Sequence, residues 1–330
     1  MDRELVESSY TPAALQALKS FPVDAENVEL IAHSENVTFR VAVRGADTDY
    51  VLRLHRPGYN SIEELNSERV WTQALKDAGM FVPDSLLTRR GEYFVSIDIP
   101  GAGKQCYAGM TTWIEGSTLN DYLETSSDRD ERARYFRRIG ELAAAIHNQS
   151  TNWEVPPGFA RPCLDLDGLL GEAPRWGRFW EHADLTASEQ RLLRQARKRI
   201  HATLSEYGER PDNFSLIHAD LHPANIIYNG DDLALIDFDD SAFGWHMYEI
   251  ASALIEDSFV PGFAPLHDAL LEGYREHRPL AERDVDMLPD FLLLRGMAII
   301  GWLYQRPEHG GSDFFEEVKN WVIAECNANE

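Results

Sequence analysis

Two carboxylates and one amide, Asp220, Asn225 and Asp237, stand within the stretch HADLHPANIIYNGDDLALIDFDD, residues 218–240. Two short apolar runs in it, NIIY and LALI, are joined by NGDD, and Asn-Gly between such runs signals a tight hairpin. A hairpin brings its outer ends together, so Asn225 is expected beside Asp237, with Asp220 close enough in sequence to join them. Hard oxygen donors of this kind suit Mg2+, which keeps several waters and also binds phosphate oxygens. Phosphoryl transfer asks for little more: a carboxylate that orients the attacking hydroxyl and accepts its proton, and metal ions that neutralise the phosphates. Asp220 is therefore read as the base, and Asn225 and Asp237 as metal ligands. His218 is read as holding the loop, and Asp231 and Asp232 as turn residues. Asp239 stays open between secondary metal ligand and plain loop. Asp240, Trp245, His246 and Glu249 are candidates to face the acceptor.

These groups need elements to aim them. Upstream, TPAALQALKS offers Thr11 as an N-cap and Pro12 at a first helical position. NVTFRVAV alternates Val37, Phe39, Val41 and Val43 with polar residues, the period of a strand. RGADTD reads as a hairpin connection to the strand DYVLRLHRP, which places Arg53 on the face opposite Leu52 and Leu54. SIEELNSERVWTQALKDAG is a helix with a capping box at Ser61 and Glu64, Gly79 at its end, and Glu64 and Glu68 on one face. EYFVSIDI and QCYAGMTTWIEG are further strands. After Gly116 long helical patterns dominate. The chain is thus expected to be α+β and bilobal: residues 1–110 a small lobe with an antiparallel sheet, 111–116 a hinge, 117–330 a larger, mainly helical lobe. The Pro-, Gly- and Trp-rich segment 151–180 reads as an ordered insertion, in which Trp176, Phe179 and Trp180 either wall an acceptor pocket or fill a core.

Composition narrows the functional class. A chain of 330 residues with 44% hydrophobic content can bury a sizeable core, which excludes a disordered or fibrous protein. The formal net charge of -24 opposes a broad electrostatic grip on nucleic acid and slightly favours a cationic ligand. No apolar run approaches the roughly 20 residues of a membrane span, and the N-terminus lacks a secretory pattern. A cytoplasmic enzyme with reduced thiols at Cys106, Cys163 and Cys326 is expected.

The spacing H-x-D-x-x-x-x-N at His218, Asp220 and Asn225, followed by an Asp-led loop, resembles the catalytic and metal loops of kinases. The wording IHADLHPANII…LIDFDDSAFGW is similar to the aminoglycoside phosphotransferase and choline kinase-like family, and the resemblance runs along most of the chain. It implies a protein-kinase-like fold, ATP as phosphate donor with Mg2+, and a small hydroxylated acceptor such as an amino alcohol, a homoserine-like amino acid, an aminoglycoside or a sugar. It also implies roles. In YVLRLHRPG, Arg53 would be the phosphate-binding cation; in LNSERVWTQAL, Glu68 would pair with it; in MTTWIEGSTL, the backbone of Thr112, Trp113 and Ile114 would hold adenine. His147 ends IGELAAAIH, where the family has a His. AHSENVTF stands where protein kinases have a Gly-rich phosphate loop, Arg53 replaces the usual Lys, and Ala219 stands where relatives often have Gly.

A serine/threonine protein kinase of the stress-response type is an alternative within this family, and a nucleotide-binding pseudokinase is one outside catalysis. A zinc hydrolase built on His218, Asp220 and His222 would leave Asn225, Asp237, Arg53 and Glu68 without a role.

Overall fold

The computed structural model of the chain describes residues 3–329 except 35, 100–103, 126–127, 231 and 307–312. Two compact units are built from it: residues 1–118, 155–161 and 226–239 form the first, and 119–154, 162–225 and 240–330 the second. Where sequence pattern suggests one boundary near 111–116, two later segments return to the first unit.

The first unit opens with α1 (Arg3–Leu18), which passes through Pro12. Thr11 is therefore not an N-cap. A proline inside a helix forfeits a hydrogen bond, but Ala13, Ala14 and Ala17 are fully buried in the core of the adjoining sheet, and that packing outweighs the loss. The antiparallel sheet comprises β1 (Ala25–His33), β2 (Val37–Val43), β3 (Tyr50–Leu54), β4 (Ser85–Leu86), β5 (Phe94–Ile99) and β6 (Lys104–Thr112). Its order is β1-β2-β3-β6-β4, with β5 also on β6. The expected alternation holds: Phe39, Val41 and Leu52 are fully buried, while Arg53 projects from the other face. Between β3 and β4 lies α2 (Ile62–Asp77), started by the reciprocal capping box of Ser61 and Glu64.

The second unit is mainly helical. After the short β7 (Ser117–Thr118) of the first unit come α3 (Leu119–Thr125) and α4 (Arg129–Asn152), then β8 (Cys163–Leu164), α5 (Leu166–Leu170), α6 (Ala187–Tyr207) and β9 (Phe214–Ile217). The chain then contributes β10 (Ile226–Tyr228) and β11 (Leu233–Leu235) to the first unit, and returns with β12 (Ala242–Trp245), α7 (His246–Ser258), α8 (Phe263–His277), α9 (Glu282–Val285), α10 (Leu288–Tyr304) and α11 (Asp313–Ala328). β12 pairs in parallel with β8 and antiparallel with β9. α4 and α8 approach closely because Gly140 and Gly273 face backbone: a Cβ on Gly140 would lie 2.0 Å from the Leu270 carbonyl oxygen. The span Glu282–Tyr304 is long and apolar enough to cross a membrane by length and composition alone, but most of it is buried inside the unit. There α10 packs on α7 and α11.

β10 and β11 form the expected hairpin, with Ile226 opposite Leu235 and Tyr228 opposite Leu233. Its turn uses Asn229, whose side-chain oxygen accepts from the Asp232 N–H, and Gly230 at φ +112°. Asp231 lies outside the described residues.

Candidate active site

The expected catalytic residues divide between the two units, and each unit's geometry is set by its own contacts. In the second unit, β9 delivers the chain to His218, whose residue is fully buried. The next residue, Ala219, takes a left-handed backbone at φ +67°. That conformation disfavours any Cβ. The strained turn is held by Glu249 from α7. Its two carboxylate oxygens accept the N–H groups of His218, at 2.8 Å, and Ala219, at 2.6 Å. Ser252, one turn further along α7, donates to the Ala219 carbonyl at 2.9 Å. Burial pushes the Glu249 carboxyl up to about 8 despite these two donors.

The turn presents Asp220 with its side chain 24% exposed. One of its oxygens, Oδ1, pairs with Arg295 of α10. The other, Oδ2, accepts from Asn225 Nδ2 at 2.9 Å and lies 3.5 Å from His222 Nε2. Burial would raise the pKa of this carboxyl, but His222 and Arg295 more than reverse that and hold it well below the usual carboxylate range. Asn225 also donates to the Asp220 carbonyl. With Nδ2 engaged, the amide oxygen of Asn225 is the atom left to face a ligand.

Other groups expected near the acceptor prove internal. Trp245 is fully buried, donates its indole N–H to the Gly208 carbonyl at 3.2 Å, and packs edge-on against Phe214. Glu249 has no exposed surface and both oxygens engaged. These two residues therefore hold structure rather than face an acceptor. His246 is buried too, stacked on His147 at 4.1 Å and bonded to Ser215. His147 lies inside α4 rather than at its end, bonded to the Tyr274 hydroxyl. Trp176, Phe179 and Trp180 fill core. Trp176 nevertheless stacks on Tyr248 with ring centroids 6.0 Å apart, and Arg295 lies over both rings. Asp240 remains half-buried, and its charge reaches Tyr248 and Arg295.

In the first unit, β11 leads into Asp237, which adopts a left-handed φ of +63° that Asp tolerates better than most residues. Its Oδ1 accepts from Arg53 Nη1 at 2.8 Å, leaving Oδ2 as a donor for a cation. Asp239, only 6% exposed in its side chain, sits among Arg53 at 3.4 Å, His55 at 3.5 Å and the amide of Asn36. Burial opposes its charge, but His55 and Arg53 hold the carboxyl well below its ordinary value. These contacts tie the Asp239 side chain to β3 and hold the loop. The loop backbone is clamped as well. Arg161 donates to the carbonyls of Phe238, Asp239 and Glu64, and Asn60 to that of Asp239. A single guanidinium thus joins the Asp237 loop to α2.

The expected pairing of Arg53 with Glu68 is replaced by the pairs of Arg53 with Asp237 and Asp239. Glu68 is buried on α2 and its ion pair is with Arg69 at 3.5 Å, while burial pushes its carboxyl up. Its charge still acts on Arg53 across the gap. Two of the three hinge N–H groups are also engaged, Thr112 with the Asp84 carbonyl and Trp113 with that of Asp49. Of that trio, Ile114 is left to meet a ligand through its N–H.

Asn36, His55, Asn60, Arg161 and Arg295 carry no motif that marks them in sequence. Arg295 alone leaves a trace: it is the one charge in the apolar run FLLLRGMAIIGWLY. An ionisable group inside a buried helix calls for a partner.

The phosphotransferase enzyme family model matches residues 28–283. A solved microcompartment-associated aminopropanol kinase is 31% identical, with a TM-score of 0.80 over 96% of this chain and 94% of that one. Amicoumacin kinase of Bacillus subtilis is 22% identical over 301 residues, covering 88% of this chain and 83% of the relative. A solved amicoumacin kinase bound to AMP-PNP, Ca2+ and its antibiotic shares the fold, with a TM-score of 0.79 at 20% identity over 99% and 96% of the two chains. With the catalytic-loop spacing and a family match over most of its length, this chain belongs to the phosphotransferase enzyme family.

Proposed function

We propose that the protein is an ATP- and Mg2+-dependent kinase that phosphorylates the hydroxyl of a small, amine-bearing alcohol. The observation that carries this is the Asp220 carboxylate, kept ionised, partly exposed, and held by Asn225 on a loop gripped by Glu249. In this reading the acceptor hydroxyl donates a hydrogen bond to Asp220, which aligns its oxygen with the γ-phosphorus. The new O–P bond forms as the bond from the γ-phosphorus to the ADP oxygen breaks, and the hydroxyl proton passes to Asp220. A depressed pKa suits this task, because a loose phosphoryl-transfer transition state needs alignment more than a strong base. Asn225 and Asp237 are oxygen donors of the kind a hard dication takes; Mg2+ held there would neutralise charge on the phosphates. Arg53 would grip phosphate oxygens, its Nη1 already held by Asp237 and Asp239. Ile114 would meet the adenine through its backbone.

An amine-bearing acceptor is supported by the net charge of -24, by the carboxylate of Asp240 near Tyr248, and by similarity at 31% identity to an aminopropanol kinase. The test is Mg2+-dependent ADP release with a panel of 1-amino-2-propanol, ethanolamine, choline, homoserine, an aminoglycoside and simple sugars. Turnover is expected with an amino alcohol and not with sugars. Preference for a sugar would overturn the acceptor class while leaving the kinase assignment standing; preference for homoserine would narrow the class to an amino acid.

A further inference from the structure

We propose that Arg295 is a positioning residue for phosphoryl transfer, fixing the Asp220 carboxylate in the orientation that receives the acceptor hydroxyl. This inference rests on Asp220 being the base, as proposed above, and adds a residue that neither the loop spacing nor the family resemblance assigns.

Four observations lead to it. The guanidinium comes from α10, far from Asp220 in sequence, and reaches Oδ1. Asn225 takes Oδ2, so the carboxylate is held at both oxygens from two different elements and cannot rotate about its last bond without breaking one of them. A carboxylate held at one oxygen only would sample several rotamers, each misaiming the hydroxyl.

Arg295 is itself held. Its Nη1 lies 3.4 Å from the Tyr248 hydroxyl, and its charge lies 5.7 Å from the Trp176 ring centroid and 6.0 Å from that of Tyr248. Those two rings are nearly parallel, 9° apart, and both belong to fully or almost fully buried side chains. The aromatic pair forms a rigid backing for a planar cation, an arrangement that Arg fits and Lys does not.

Finally, Arg295 stands in an apolar stretch of its helix. Its neighbours Leu292, Leu293, Leu294, Met297 and Ala298 are core residues. A lone arginine there carries a desolvation penalty that an apolar side chain would not. The pair with Asp220 helps to offset it, together with the contacts to Tyr248 and Trp176.

A positioning role separates kinetically from a binding role. In Arg295→Met, kcat measured as ADP release with ATP, Mg2+ and 1-amino-2-propanol should fall at least tenfold, with the KM values of acceptor and ATP changing less than threefold. Without an acceptor that is turned over, the basal ATPase rate serves as the readout and should fall alike. Arg295→Lys, which keeps the charge but loses the planar fork, should lie between Met and wild type in kcat, again at unchanged KM. If the Met variant does not fold, the Lys variant carries the test alone. An unchanged kcat overturns the proposal; so does a raised acceptor KM at unchanged kcat, which would make Arg295 an acceptor-binding residue. Asp220→Asn, measured alongside, separates the two layers: full turnover in that variant removes the base itself, whereas its loss together with normal kcat in Arg295→Met removes only the role of Arg295.

Discussion

Asp220 and Glu249 show at single-residue scale how burial acts in opposite directions on two carboxyls of one loop. Asp220 has close cationic partners and stays charged; Glu249 is bonded by two backbone N–H groups with Arg295 acting on it only at a distance, and burial pushes it up to about 8. Glu249→Gln would leave one buried N–H of the His218–Ala219 turn without an acceptor, a loss of about 1–3 kcal/mol. The pH dependence has a definite sign. A carboxyl whose folded pKa is raised contributes its full stability below the unfolded value, about 4.3, and loses it as pH rises through the folded value near 8. The melting temperature of the wild type should therefore exceed that of Glu249→Gln by most near pH 5 and by less near pH 8.5, as followed by thermal denaturation. A gap that widens with pH would mean the two N–H donors dominate over burial.

The elements differ in how plainly the sequence announces them. The capping box at Ser61, the alternation of β2 and the hairpin around Asn229 and Gly230 rest on neighbours a few residues apart, so local spacing is enough to see them. Ser61→Ala should accordingly lower stability by about 1 kcal/mol in chemical denaturation. Partners drawn from distant segments leave no such pattern. Arg53 finds Asp237 and Asp239 rather than Glu68, and Arg161 reaches the Asp237 loop from a segment that composition marks only as an insertion. Trp245 and Glu249 follow soon after the Asp237 loop, yet β12 and α7 turn them into the core. Pro12 misleads in the same way, because tertiary burial of Ala13, Ala14 and Ala17 overrides a local helix-start signal. The contact of α4 with α8 depends on Gly140 lying against the Leu270 carbonyl. Gly140→Ala has no room there, and overpacking should cost about 1–3 kcal/mol, seen as a lower denaturation midpoint; an unchanged midpoint would show that the two helices can part freely.

At the scale of the whole molecule, 55 acidic against 31 basic residues set a negative field around a site proposed to take an ammonium-bearing acceptor. Long-range attraction of that kind is screened as the Debye length falls from about 10 Å at 0.1 M salt to about 3 Å at 1 M. The KM of an amino alcohol should rise with NaCl over that range, while the KM of an uncharged diol should not; equal responses would place the charge preference within the site instead. The proposal that phosphoryl transfer is carried by the loop at 218–225 is tested most directly at Asp220. With ATP, Mg2+ and 1-amino-2-propanol, the wild type should form the O-phosphorylated amino alcohol and ADP in equal amounts. Asp220→Ala should bind ATP with near-normal affinity and form no detectable product. Full product formation by Asp220→Ala would contradict the account.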